Sequence, residues 1–128
     1  AGTMLVLAES YASRLTAFAI GSDGALGARR AFAELPGFHP DGICLDAEGA
    51  VWFADVPGRC CVRVTPDGTI AGRIDVDRGC FACMLGGEDG RTLFILAADW
   101  QGPQAIGRTG PTGQVLAARV AVPHAGRP

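Results

Sequence analysis

The chain has 128 residues, 48% of them apolar and 19% charged, with a formal net charge of −2 and no basic cluster. That balance excludes an electrostatic footprint for nucleic acid or an anionic lipid surface, and no run reaches the roughly 18 apolar residues of a membrane span. Its 19 glycines and 8 prolines punctuate short apolar runs, the composition of densely buried strands joined by turns.

In chain order, strands are predicted over 3–8, 14–20 and 28–35, then 43–46, 50–54, 61–65 and 69–76, then 80–85, 92–98 and 114–120. No window keeps the i, i+3, i+4, i+7 apolar pattern without a glycine break, so no amphipathic helix competes. Turn punctuation repeats along the chain. Gly2, Gly49 and Gly90 each precede an apolar strand at spacings of 47 and 41 residues, and Gly24 and Gly68, both in Asp-Gly turns, lie 44 apart. Periods in the forties with several short strands per period are the signature of propeller blades, whose apolar faces are buried only by stacking on neighbours.

The expected architecture is therefore all-β, a partial propeller of about three blades over 1–36, 37–78 and 79–128. Blade strands are lettered A to D from the central channel outward. The first blade lacks its inner strand, the second is complete, and the third has A, B and C but no outer strand. Residues 99–113 are expected to be a long loop before the last C strand. Gly113, 45 residues after Gly68, argues instead for a C-to-D turn there, but the Gly- and Pro-rich stretch before it holds no C strand. Three blades, two of them incomplete, cannot close a ring, so a missing amino-terminal half or another chain is expected to complete it. The chain begins Ala1-Gly2-Thr3 without an initiator methionine, and no signal peptide is expected.

The five cysteines, Cys44, Cys60, Cys61, Cys80 and Cys83, fit no secreted disulfide framework, and buried free thiols in a cytoplasmic protein are expected. Residues three apart on a strand point to opposite faces, so Cys80 and Cys83 are not expected to grip one metal ion. Vicinal Cys60 and Cys61 meet the same objection.

The tripeptide Pro-Asp-Gly occurs twice. Pro66-Asp67-Gly68 separates two alternating runs and reads as a tight hairpin turn. Pro40-Asp41-Gly42 follows the loop Pro36-Gly37-Phe38-His39 and enters an inner strand, where side chains converge on a cavity. Strand direction places Asp41, His39, Ser10, Tyr11, Arg59 and Trp100 on the top face. Asp46, Glu48, Asp67, Glu88 and Asp89 fall in bottom turns, as solvated acids.

The run from Leu35-Pro36-Gly37 through Pro40-Asp41-Gly42-Ile43-Cys44-Leu45-Asp46 to Val51-Trp52-Phe53-Ala54 resembles the senescence marker protein, gluconolactonase and luciferin-regenerating enzyme family. Leu5-Val6-Leu7-Ala8-Glu9-Ser10, Arg14-Leu15-Thr16-Ala17-Phe18 and Cys80-Phe81-Ala82-Cys83-Met84-Leu85 extend the resemblance, as does Val122-Pro123-His124. It implies the carboxyl-terminal half of a six-bladed propeller that hydrolyses sugar lactones or related esters. It also implies one divalent cation in the channel, Ca²⁺ or Zn²⁺ with Mg²⁺ or Mn²⁺ as further options, for which Asp41 is both metal ligand and catalytic base. The family's other ligands, a glutamate and two asparagines, have no counterpart here, and the chain contains no asparagine. Phe81, His39 and Trp100 are the candidate substrate-binding residues, and Arg59 is a candidate for an acidic substrate group. The alternative function is a propeller module that binds a partner and catalyses nothing.

Overall fold

A computed structural model describes residues 2–108 and 110–126, and its strands form three antiparallel sheets. The first holds β1 (Met4–Glu9), β2 (Arg14–Ala19) and β3 (Arg30–Glu34). The second is four-stranded, with β4 (Pro40–Leu45), β5 (Val51–Asp55), β6 (Cys60–Val64) and β7 (Ile70–Asp75). The third holds β8 (Gly79–Gly86), β9 (Thr92–Ala98) and β10 (Gln114–Arg119). Each strand pairs only with its neighbours in sequence, the connectivity of a propeller blade. β10 pairs with β9, Gln114 opposite Ala97, so the stretch before it is a connection rather than a strand. One 3₁₀ turn, Pro103–Ala105, interrupts that connection, and Thr109 within it lies outside the described residues. Among the described residues, no helix is long and apolar enough to cross a membrane.

Burial distinguishes the middle blade from its neighbours. β5 is buried at every position, because Val51 and Phe53 face the first blade while Trp52 and Ala54 face the third. β9 alternates instead, with Leu93, Ile95 and Ala97 buried and Phe94 and Leu96 exposed. Such alternation marks a sheet covered on one face only. Phe53 is wholly buried among Leu15, Phe32, Val62 and Val64, contributing about 1.5–3 kcal/mol by its burial.

The outer faces stay apolar. Leu5 and Leu7 project from the first blade, and Met84, Phe94, Leu96 and Val115 from the third. At the bottom, the final segment crosses two blades: the Ala47 N–H donates to Pro123 O at 2.8 Å and the His124 N–H to Gly90 O at 3.0 Å.

Two expectations change. Cys80 and Cys83 do not point to opposite faces; both are buried against the second blade. The reason is a β-bulge, since Cys80 opposes Ala97 while Ala82 opposes Leu96, leaving Phe81 as an extra residue. Cys60 and Cys61, on unbulged β6, do part to opposite faces. Asp46 is not a solvated turn acid but fully buried. Its Oδ1 accepts the N–H groups of Glu48 (2.9 Å) and Ala50 (3.1 Å), and its Oδ2 accepts Arg63 Nε at 2.7 Å. A buried carboxylate requires such saturation, because an unpaired one costs several kcal/mol of lost hydration (about 3–5 kcal/mol on removing a partner).

Candidate functional site on the top face

Two bulges at the top of adjacent inner strands shape the site. In β4, Pro40 opposes Asp55 and Ile43 opposes Phe53, so Asp41 and Gly42 together face one residue of β5. In β8 the extra residue is Phe81. A bulge breaks the alternation that would return every second side chain to the core, and so re-aims it. Gly42 lets the two bulges meet: a Cβ there would lie 2.6 Å from Ala82 Cα and 2.9 Å from Phe81 O. Only a residue without a side chain permits that approach.

Asp41, His39, Phe81 and Trp100 line one cavity of about 360 Å³. Four of the five candidate residues of the sequence analysis are thereby brought together, Arg59 being the exception. Asp41 is exposed, and among the described residues its carboxylate has no hydrogen-bond or ion-pair partner. Phe81 and Trp100 pack edge to face at 5.8 Å between ring centroids, forming an apolar wall. Ser10 and Tyr11 line the same cavity. The Ser10 hydroxyl donates to Pro40 O at 2.7 Å, pinning the β1–β2 turn onto the start of β4. Beside it, Glu9 is lowered to about 2 by hydrogen bonds from Arg14, Thr16 and Arg29, so it remains a carboxylate that fixes the turn. Arg59 does not join Asp41; it lines a neighbouring cavity behind Val56, Pro57 and Trp100.

One residue absent from the sequence-based candidates belongs here. Asp55, at the end of β5, is 1% exposed, and its Oδ1 lies 4.0 Å from His39 Nδ1. The same oxygen accepts the Gly58 N–H at 3.2 Å, while Oδ2 has no partner among the described residues. The available signal was an acid closing a wholly apolar strand just before a Val-Pro-Gly turn, a position that buries a charge.

No three His, Cys, Asp or Glu side chains among the described residues are arranged to hold a metal ion. A lone carboxylate such as that of Asp41 is a hard oxygen donor of the kind Ca²⁺ and Mg²⁺ take and Zn²⁺ accepts, and a cation there would need further ligands.

A partial propeller with an acid and an aromatic wall at its inner-strand tops defines the class. The profile of the SMP-30/gluconolactonase/LRE-like region matches residues 1–99, and the chain belongs to that family. A 6-deoxy-6-sulfogluconolactonase of Pseudomonas putida is 33% identical over 116 residues, covering 87% of this chain and 40% of that protein. A pentonolactonase of Haloferax volcanii is 36% identical over 111 residues, covering 82% of this chain and 38% of that protein. The chain thus spans about two-fifths of the length of these curated relatives. Among solved structures, regucalcin of Agrobacterium tumefaciens, described as a calcium-binding protein, superposes with a TM-score of 0.75 at 22% identity. That superposition covers 98% of this chain and 44% of regucalcin, and it supports the fold.

Proposed function

We propose that these residues form part of a lactone hydrolase acting on sugar lactones, with Asp41 as the proton-accepting group and one ligand of a divalent cation. The observation that carries this reading is the unpartnered Asp41 carboxylate opening into the cavity shared with His39, Phe81 and Trp100. Relatives named as lactonases supply the substrate class.

In this reading Asp41 takes the proton of an attacking water, for which a carboxylate free of other hydrogen bonds is available. A divalent cation bound beside it would polarise the lactone carbonyl. The remaining ligands would come from outside the described residues, consistent with a site completed by further blades. His39 would hydrogen-bond a substrate hydroxyl. Phe81 and Trp100 would cover the apolar face of the sugar ring and exclude water.

The exposed outer faces of the first and third blades fit the same reading. Further blades, from the rest of the same polypeptide or from another chain, would cover Leu5 and Leu7 at one end and Phe94 and Leu96 at the other.

The test is acid release from gluconolactone and pentonolactones by the complete protein, with divalent cation and with chelator. Cation-dependent hydrolysis is expected. Full activity after chelation would remove the metal from the reading. No turnover on any lactone or ester would leave a propeller that binds a partner through its top loops.

A further inference from the structure

A second cavity of about 360 Å³ lies beside the one that holds Asp41, and the two share a wall of Val56, Pro57 and Trp100. Its other walls come from the turn after β5, the link between β7 and β8 and the start of the connection after β9, which bring Arg59, Asp77, Arg78, Asp99 and Gln101 together. Thr112 ties the last two segments: Arg78 Nη1 donates to its carbonyl oxygen at 3.2 Å, and its hydroxyl oxygen accepts the Asp99 N–H at 3.1 Å. Each cavity is at the small end of the about 300–1,000 Å³ of ligand sites, so the pair side by side suits a ligand of two rings.

The charges of the second cavity cancel. Asp77 accepts two hydrogen bonds of 2.8 Å from Arg78, which neutralises both groups. Arg59 and Asp99 remain, and among the described residues neither side chain makes a hydrogen bond or an ion pair. Arg59 stands at φ 51°, in the left-handed region that favours glycine. Its N–H donates to Val56 O at 3.3 Å and its carbonyl oxygen accepts the Val76 N–H at 2.9 Å, so the backbone is fixed under a guanidinium with nothing to bond. A strained side-chain-bearing residue at a cavity wall indicates a use for that side chain.

A guanidinium offers only donors and a carboxylate only acceptors, while a carboxamide such as Gln101 offers both. An acid entering the cavity meets Asp99 as well as Arg59, so no excess positive charge favours it. Hydroxyl groups, each a donor and an acceptor, match this set. The exposed indole of Trp100 gives the C–H face of a sugar ring an apolar surface.

We propose that this cavity is a second sugar subsite: the lactone that the protein takes carries a neutral glycosyl group, seated among Arg59, Asp99 and Gln101, while its lactone ring lies beside Asp41. The proposal rests on the lactone-hydrolase reading for the ring and adds the class of its substituent. Trp100 stands between the two rings as the shared wall.

The test compares three lactones in the complete protein: gluconolactone, cellobionolactone with one added neutral glucosyl group, and glucarolactone with a carboxylate. KM for cellobionolactone should lie about tenfold below that for gluconolactone, the worth of one or two hydrogen bonds, and glucarolactone should gain nothing. Arg59→Gly, which removes the side chain and suits the left-handed backbone, and Asp99→Ala should each raise KM for cellobionolactone by about threefold or more. Asp67→Asn, in a bottom turn, should leave the ratio of the two KM values unchanged. Equal KM values, a preference for glucarolactone that Arg59→Gly removes, or a disaccharide preference that survives both cavity substitutions would each overturn the proposal. If no lactone is turned over, the lactone reading falls and calorimetry decides the subsite. Cellobiitol, a neutral disaccharide polyol, should then bind the parent protein but not Arg59→Gly, and sorbitol should bind neither; absence of cellobiitol binding overturns the subsite as well.

Discussion

The two Pro-Asp-Gly segments are chemically identical, and the fold uses them in opposite ways. In Pro66-Asp67-Gly68 the aspartate is spent locally: its carboxylate accepts the Thr65 hydroxyl and the Thr69 N–H, and Gly68 takes φ +85° with nothing near its missing Cβ. In Pro40-Asp41-Gly42 the aspartate keeps its carboxylate free, and the glycine is required by a neighbouring strand rather than by a turn. One glycine serves torsion and the other serves contact. The lesson is that a turn motif reports function only when its acid has no local bond to make, because a satisfied carboxylate has little left to offer a substrate or a cation.

Substitution of the two acids tests this contrast most strongly. In the complete protein, Asp41→Asn should cut lactone hydrolysis by about a hundredfold or more, as loss of a proton-accepting group does, while Asp67→Asn should leave it within about twofold. Steady-state rates on gluconolactone decide the matter. Equal losses would mean that both acids act through stability, and the contrast would fail.

Substitution of the two glycines sharpens it. Gly42→Ala places a methyl group 2.6 Å from Ala82 Cα, so β4 and β8 must separate, at a cost of about 1–3 kcal/mol. Gly68→Ala meets no atom within 4 Å and pays only for its left-handed backbone, about 1 kcal/mol. Urea unfolding should rank them in that order. Gly42→Ala should also raise KM by displacing Phe81, a readout that Gly68→Ala lacks.

The smallest effect concerns pH. Asp67 lies below the ordinary aspartate range, chiefly through the Thr65 hydroxyl and then the Thr69 N–H. A folded-state value below the unfolded one contributes stability above the unfolded pKa of about 3.9, which is lost as pH falls toward the folded value. Thermal melts across that range should therefore show a shallower acid decline for Asp67→Asn than for the parent chain. An unchanged slope would show that the turn hydrogen bonds do not discriminate the charged form.

Strand positions were legible in the sequence because they depend on local signals. The apolar runs, the Asp-Gly turns and the repeat in the forties located all ten strands to within a few residues, and the long connection before β10 followed from its Gly- and Pro-rich composition. The candidates Asp41, His39, Phe81 and Trp100 came from strand direction and family resemblance, and they line one cavity. What strand alternation could not reveal was each bulge. One extra residue at Phe81 reverses the facing of everything on one side of it, which is why Cys80 and Cys83 were assigned to opposite faces and share one instead.

Composition, repeat and turn chemistry thus determined by themselves that this protein is all-β and built as blades, since each rests on interactions among residues close in the chain. Only the tertiary structure decided which acids are consumed and which remain free. Asp46 is buried against Arg63, 17 residues away, and Asp55 against the turn that follows it, whereas Asp41 is left open by a glycine that touches Ala82, 40 residues on. Those outcomes depend on which strands stack, and stacking is settled by the burial of whole blade faces rather than by any local preference.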